Sequence, residues 1–87
     1  MKNSEVARAF LEGKCASSNN MYSSSDKLFS YSTCIAQHFE QEIIGNATKY
    51  SPTSSKHLSY IRGNVTIWTK KRVPRGASSL VEYLYGN

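Results

Sequence analysis

At 87 residues, 39% of them hydrophobic and 20% charged, the chain has material for one small core, in a single domain spanning residues 1–87. No apolar run approaches the roughly 20 residues of a spanning helix, and MKNSEVARAFLEGK lacks the apolar stretch of a secretory signal. The sequence therefore argues against a membrane protein and for a cytoplasmic one, with Cys15 and Cys34 as reduced thiols. The net charge of +5 is unevenly distributed. Residues 1–42 carry four basic and five acidic side chains, whereas residues 43–81 carry seven basic ones and no acid, a bias that favours an anionic partner.

The first predicted element is a short helix from Ser4 to Glu12, with Ser4 as its cap and Gly13 ending it. Val6, Ala9 and Phe10 share one face. The polar stretch from Cys15 to Ser25 holds one irregular strand around Met21 and Tyr22. From Leu28 to Ala36 the pattern has period two: Phe29, Tyr31, Thr33 and Ile35 alternate with Ser30, Ser32 and Cys34, which predicts a single strand. His38 to Glu42 reads as a turn, and a second strand runs through Ile43 and Ile44 to Tyr50, close enough to pair as a hairpin.

A helix follows directly. Ser51 suits the N-cap and Pro52 the first helical position, Leu58 and Ile61 lie three apart with His57 and Tyr60 beside them, and Gly63 can close the helix. Asn64 to Thr69 reads as a third strand and Lys70 to Gly76 as a basic loop broken by Pro74. Ser79 and Glu82 can box the start of a last short helix carrying Leu80, Val81 and Leu84. The expected fold is α+β: a small antiparallel sheet of three or four strands with helices packed on one face.

The chemistry-bearing residues do not assemble into a motif. Cys15, Cys34, His38 and His57 make up the soft-ligand inventory, yet no Cys-x-x-Cys or His-x3-His pair exists, and a zinc site would need ligands from four separate elements. The plainer reading is a half-buried Cys34 and a surface His57. A cysteine–histidine nucleophile is equally unsupported, because the carboxylates sit in the N-terminal half and no glycine turn follows either cysteine. No enzyme activity, metal or cofactor is expected. Asn46-Ala47-Thr48 and Asn64-Val65-Thr66 match the glycosylation triplet through composition alone.

What remains is a basic and aromatic set: Lys49, Tyr50, Lys56, Tyr60, Arg62, Trp68, Lys70, Lys71, Arg72 and Arg75. Lysine and arginine neutralise phosphates, and an exposed tyrosine or tryptophan stacks on unpaired bases. A lone tryptophan is more often at home in a core, which would leave this set its charge without its strongest stacker.

Two segments carry a resemblance. LFSYSTCIA (Leu28 to Ala36) and NATKYSPTSSKH (Asn46 to His57) resemble a group of small, uncharacterised proteins of bacteriophages and other mobile elements. These proteins have a Leu-Tyr-Ser-Tyr-x-Thr-x-Ile-Ala strand followed by Asn-x-Thr-Lys-Tyr-Ser-x-Thr-Thr-Ser-x-His, from which Phe29 and Ser54 depart mildly. The resemblance implies a phage-like origin and transfers no site residues. Phage proteins of this size are commonly host-directed binders, which implies an inhibitor of a host defence protein or nucleoprotein complex, such as a CRISPR or restriction system. On that reading Lys49, Lys56, Tyr60, Arg62, Lys70, Lys71, Arg72 and Arg75 would meet the partner. Two alternatives stay open: a small regulator that binds RNA or DNA without a protein target, and a structural or assembly protein.

Overall fold

The computed structural model describes residues 2–48 and 52–84, and of residues 52–55 the backbone alone. Helix α1 (Asn3–Leu11) begins one residue before the predicted cap, so Ser4 lies inside its first turn. The start is held by the Glu5 carboxylate, which accepts the Lys2 backbone N–H at 3.0 Å. Val6, Ala7 and Phe10 are buried. Gly13 ends the helix as expected. Its φ of +74° lets the amides of Gly13 and Lys14 turn back onto the carbonyls of Phe10 and Ala9, at 3.0 and 2.8 Å.

The sheet has six strands rather than three or four, in sequence order: β1 (Ala16–Ser17), β2 (Met21–Ser23), β3 (Lys27–Ser30), β4 (Thr33–Phe39), β5 (Glu42–Gly45) and β6 (Ile67–Trp68). The first five form an antiparallel meander. β6 is parallel to β5, with Ile44 opposite Ile67 and Gly45 opposite Trp68. The sheet is mixed because helix α2 (Pro52–Ser59) and a 3-10 turn (Arg62–Asn64) carry the chain back before β6 begins, a crossover that a parallel pair requires. Only Ile67 and Trp68 of the predicted third strand pair.

The segment predicted as one strand, Leu28 to Ala36, is a hairpin. Ser30 pairs with Thr33 across a two-residue turn in which Tyr31 has φ +57°. Serine and tyrosine preserve the period of two straight through that turn, so alternation alone conceals it. A register shift follows: Leu28 faces Ala36 while Phe29 faces Cys34, leaving Ile35 as the extra residue of a bulge. Ile35 and Ala36 consequently both join the helix side, while Phe29 and Cys34 face the other way.

β4 continues through His38 to Phe39, so the next turn is only Glu40–Gln41, and the β4–β5 hairpin forms as anticipated. The predicted second strand stops at Gly45 because Asn46 turns the chain out of the sheet. Its amide donates to the Ile35 carbonyl (2.9 Å) and its side chain to the Cys34 carbonyl (3.0 Å), and its Oδ1 accepts the Thr48 amide (2.8 Å). The expected strand end at Lys49 and Tyr50 and the Ser51 cap lie outside the described residues. Pro52 opens α2 as predicted. Gly63 does not close it: the helix ends at Ser59, and Gly63 sits in the 3-10 turn without a left-handed φ.

Each face of the sheet carries its own core. α1 and α2 cover one face, over Val6, Ala7, Phe10, Met21, Leu28, Ile35, Ala36, Leu58 and Ile61. The other face buries Cys34 and Ile44 beneath Val73, Leu80 and Leu84 of the C-terminal segment. In place of a capped α-helix that segment contains a 3-10 turn, Val81–Tyr83. Lacking a ladder of its own, it is pinned by the sheet. The Gln37 Oε1 accepts the Leu80 amide (2.7 Å) and the Ser79 hydroxyl (3.3 Å), the Thr33 hydroxyl accepts the Gly76 amide (2.8 Å), and the Cys34 amide donates to the Ala77 carbonyl (2.9 Å).

Candidate functional site

The fold divides the predicted basic set between its two faces. Lys56 within α2 and Tyr60 and Arg62 just after it lie on the helix side, next to the buried Leu58 and Ile61. Here the Arg62 guanidinium lies 5.8 Å from the centre of the Trp68 ring. Trp68 is 36% exposed, not a core residue. Its ring lies over Gly45, where a Cβ would come within 2.8 Å of it and within 2.7 Å of Val65. The glycine is what allows the tryptophan to lie flat on the sheet edge.

Lys70, Lys71, Arg72 and Arg75 are exposed, as the sequence predicts for a solvated loop, on either side of the buried Val73. Val73 belongs to the opposite core, so the chain crosses the β6 edge between Trp68 and Val73. The crossing is fastened down. The amides of Lys70 and Lys71 both donate to the Tyr83 carbonyl (2.8 and 3.2 Å), and the Thr48 hydroxyl accepts the Val73 amide (2.8 Å). Among the described residues no carboxylate lies within ion-pair distance of Lys56, Arg62, Lys70, Lys71 or Arg72. Lys49 and Tyr50 lie outside the described residues. Two exposed tyrosines escaped the sequence reading, Tyr22 and Tyr31. For Tyr22 the signal was present in its alternation with the buried Met21 and Ser23.

The thiols and imidazoles are engaged elsewhere. Both cysteines are free, Cys15 exposed and Cys34 buried. Cys34 is fully rather than half buried, its thiol donates to the Ala36 carbonyl at 3.2 Å, and burial pushes its pKa up to about 12. Cys34 is therefore held as a thiol at neutral pH. His38 stacks on Phe10 with ring centres 4.4 Å apart, and its Nε2–H donates to the Phe10 carbonyl at 2.6 Å.

His57 is not on the surface. It is 1% exposed, with Nδ1 2.7 Å from the Ser30 hydroxyl and Nε2 3.2 Å from the Asn3 amide nitrogen. Asn3 accepts the Ser18 hydroxyl through Oδ1, so it presents its N–H to His57, whose Nε2 must accept and whose Nδ1–H must donate to Ser30. Burial, reinforced by the neighbouring Lys56, holds the ring below the ordinary histidine range and suits this neutral form. Ser30 and His57 have the spacing of a catalytic pair, but both are buried, and the network ties α1, β3 and α2 together instead. Among the described residues no three His, Cys, Asp or Glu side chains converge on a metal-sized site.

Among the described residues that carry the phage-like resemblance, most are interior. Leu28, Ile35 and Ala36 are core, Ser30 meets His57, Thr33 holds Gly76, Asn46 turns the chain, and Thr48 holds Val73. Asn46, 2% exposed, is accordingly a buried hinge and not a glycan acceptor. No described helix is long and apolar enough to cross a membrane. No curated protein and no solved structure matches the chain. A family model does, from residue 4 to residue 77, and the α+β chain built on this buried framework belongs to that family, the family of unknown function DUF8033.

Proposed function

We propose that the chain acts by binding, as a phage or mobile-element accessory protein that inhibits a host defence nucleoprotein through its basic C-terminal segment. One observation carries this reading: Lys70, Lys71, Arg72 and Arg75 are exposed on a loop whose backbone is anchored at Val73 and Tyr83, within a stretch that has no carboxylate from Ile43 to Val81. Cations on an anchored backbone lose less conformational entropy on meeting an anionic surface than cations on a free tail. The resemblance of Leu28–Ala36 and Asn46–His57 to phage-encoded proteins supports a host-directed target. A second reading, a nucleic-acid-binding regulator without a protein target, draws support from Arg62 over the partly exposed Trp68, a pairing suited to base stacking beside a phosphate.

The test compares wild type, the Lys71→Glu/Arg72→Glu double variant and a Lys14→Glu control for binding to a purified CRISPR effector complex and to free RNA and DNA at several salt concentrations. The expected result is strong loss for the double variant and little change for Lys14→Glu, with folding intact. Each phosphate contact removed lowers the salt slope by about 0.9 on duplex and about 0.7 on a single strand. An acidic protein face gives a shallower dependence. Binding only to the complex supports the inhibitor, and binding to free nucleic acid supports the regulator. Equal affinity across all three proteins removes the anionic partner altogether.

A further inference from the structure

On the sheet face opposite the helices, one row runs from β2 across to the C-terminal segment. Tyr22 is registered against Phe29, Phe29 against Cys34, and the Cys34 amide bonds outward to the Ala77 carbonyl. Phe29 packs against the core formed by Cys34, Ile44, Val73 and Leu80, and is thereby fixed. Tyr22 stacks on Phe29, with ring centres 5.9 Å apart and planes 25° apart, and remains 47% exposed. Among the described residues nothing covers Tyr22 to the extent that Phe29 is covered, so an exposed aromatic ring stands on a rigid backing. At the end of the same row the loop carrying Lys71, Arg72 and Arg75 is held down by Val73 and by the bond from Gly76 to Thr33. Three inter-strand steps separate Tyr22 from Ala77, about 14 Å.

We infer that Tyr22, backed by Phe29, is a stacking platform for an unpaired base of single-stranded nucleic acid, whose backbone runs on to the cations of the 70–76 loop. The inference rests on the anionic-partner reading for its phosphate contacts only. Charge complementarity selects this occupant, because an exposed ring on the same row as the anchor of an acid-free cationic loop matches a strand that alternates π-faces with phosphates. Stacking does not read the sugar, so RNA and DNA strands are both accommodated.

The test measures binding of fluorescein-labelled oligo(dT) and oligo(U), with a duplex of equal length as comparison, by anisotropy at several salt concentrations. Tyr22→Leu keeps an apolar cover on Phe29 but removes the π-face, and is expected to weaken both single strands roughly five- to 150-fold, the range one base–aromatic stack supplies, with the salt slope unchanged. Tyr22→Phe is expected to bind as wild type. Tyr31→Gly is the control: Tyr31 is 58% exposed, but its ring leans toward His57 on the helix side, and glycine accommodates its positive φ. It is expected to leave binding unchanged.

In the unaltered protein the Tyr22 ring protons are expected to shift upfield as oligo(dT) is added, a readout that needs no variant to fold. Unshifted Tyr22 protons, wild-type affinity in a folded Tyr22→Leu, or equal affinity of wild type for duplex and single strand would overturn the platform. If Lys71→Glu/Arg72→Glu loses binding while Tyr22→Leu does not, the platform fails and the anionic-partner reading survives. A loss confined to Tyr22→Leu supports the platform and removes the basic loop from the function.

Discussion

The two faces of the sheet are stabilised by different means. On the helix side, α1 and α2 satisfy their own backbone groups and need only supply side chains, so Phe10, Leu58 and Ile61 pack directly onto Met21, Leu28 and Ile35. The opposite side is closed by an irregular segment whose amides at Val73, Gly76 and Leu80 are met by side chains from outside it. Gln37 and Thr33 of β4 serve Leu80 and Gly76, and Thr48, just past the turn at Asn46, serves Val73. An irregular cover is thus as dependent on a few polar acceptors as on Val73, Leu80 and Leu84. Such a cover is expected to release before the helices packed into the main core.

The sharpest way to break this symmetry is to excavate each core. Phe10→Ala is expected to cost about 3–5 kcal/mol, and Leu80→Ala about 2–5 kcal/mol. The distinguishing measurement is hydrogen exchange. Phe10→Ala should accelerate protected amides throughout the sheet, whereas Leu80→Ala should accelerate those of residues 69–84 first and leave α1 protected. Uniform acceleration in both variants would mean that the two faces unfold as one unit.

Two smaller changes probe the means of attachment. Gln37→Met keeps much of the side-chain volume but leaves the buried Leu80 amide without its acceptor, at an expected cost of about 1–3 kcal/mol that again falls on the C-terminal segment. Gly45→Ala drives a Cβ against Val65 and the Trp68 ring, so overpacking of about 1–3 kcal/mol is expected, together with a change in tryptophan fluorescence as the ring is displaced. Denaturant melts of both variants supply the energies. An unchanged emission spectrum for Gly45→Ala would place the strain on Val65 instead.

The same asymmetry explains what the sequence revealed. α1 and the start of α2 were legible because helical spacing, Pro52 and Gly13 are local signals. The β4–β5 hairpin was legible because Ile43 and Ile44 follow a short polar gap. The Leu28–Ala36 hairpin was not, because Tyr31 accepts a left-handed φ that the sequence pattern assigns to glycine or asparagine. The second core was hidden because Val73, Leu80 and Leu84 carry no period and are buried only by virtue of the sheet beneath them. At the candidate site the charge bias located the exposed loop correctly, but charge has no direction along a chain. Only the crossing at β6 shows that Arg62 and Arg72 lie on opposite faces, and the backing of Tyr22 by Phe29 became visible only in the register of β2 against β3.

The smallest expected effect belongs to the helix side and turns on one proton. His57 is neutral in the fold, accepting from Asn3 and donating to Ser30, and burial with Lys56 nearby lowers its pKa from the ordinary 6.5. Among the described residues the other groups against the ring, Ser30, Asn3 and Tyr31, bring no negative charge to compensate an added proton. Between the lowered folded value and about 6.5 the unfolded chain binds the proton and the folded chain does not. Stability contributed by this site is therefore complete above about pH 6.5, declines as pH falls below it, and levels off once the folded ring also protonates. One group limits the slope to about 1.4 kcal/mol per pH unit. His57→Gln retains a donor and an acceptor without the titration. Subtracting its pH profile of stability from that of wild type cancels His38, present in both, and should leave a decline below pH 6.5. Parallel profiles would show that the buried network tolerates the imidazolium, for instance by an Asn3 flip that turns its carbonyl toward the ring.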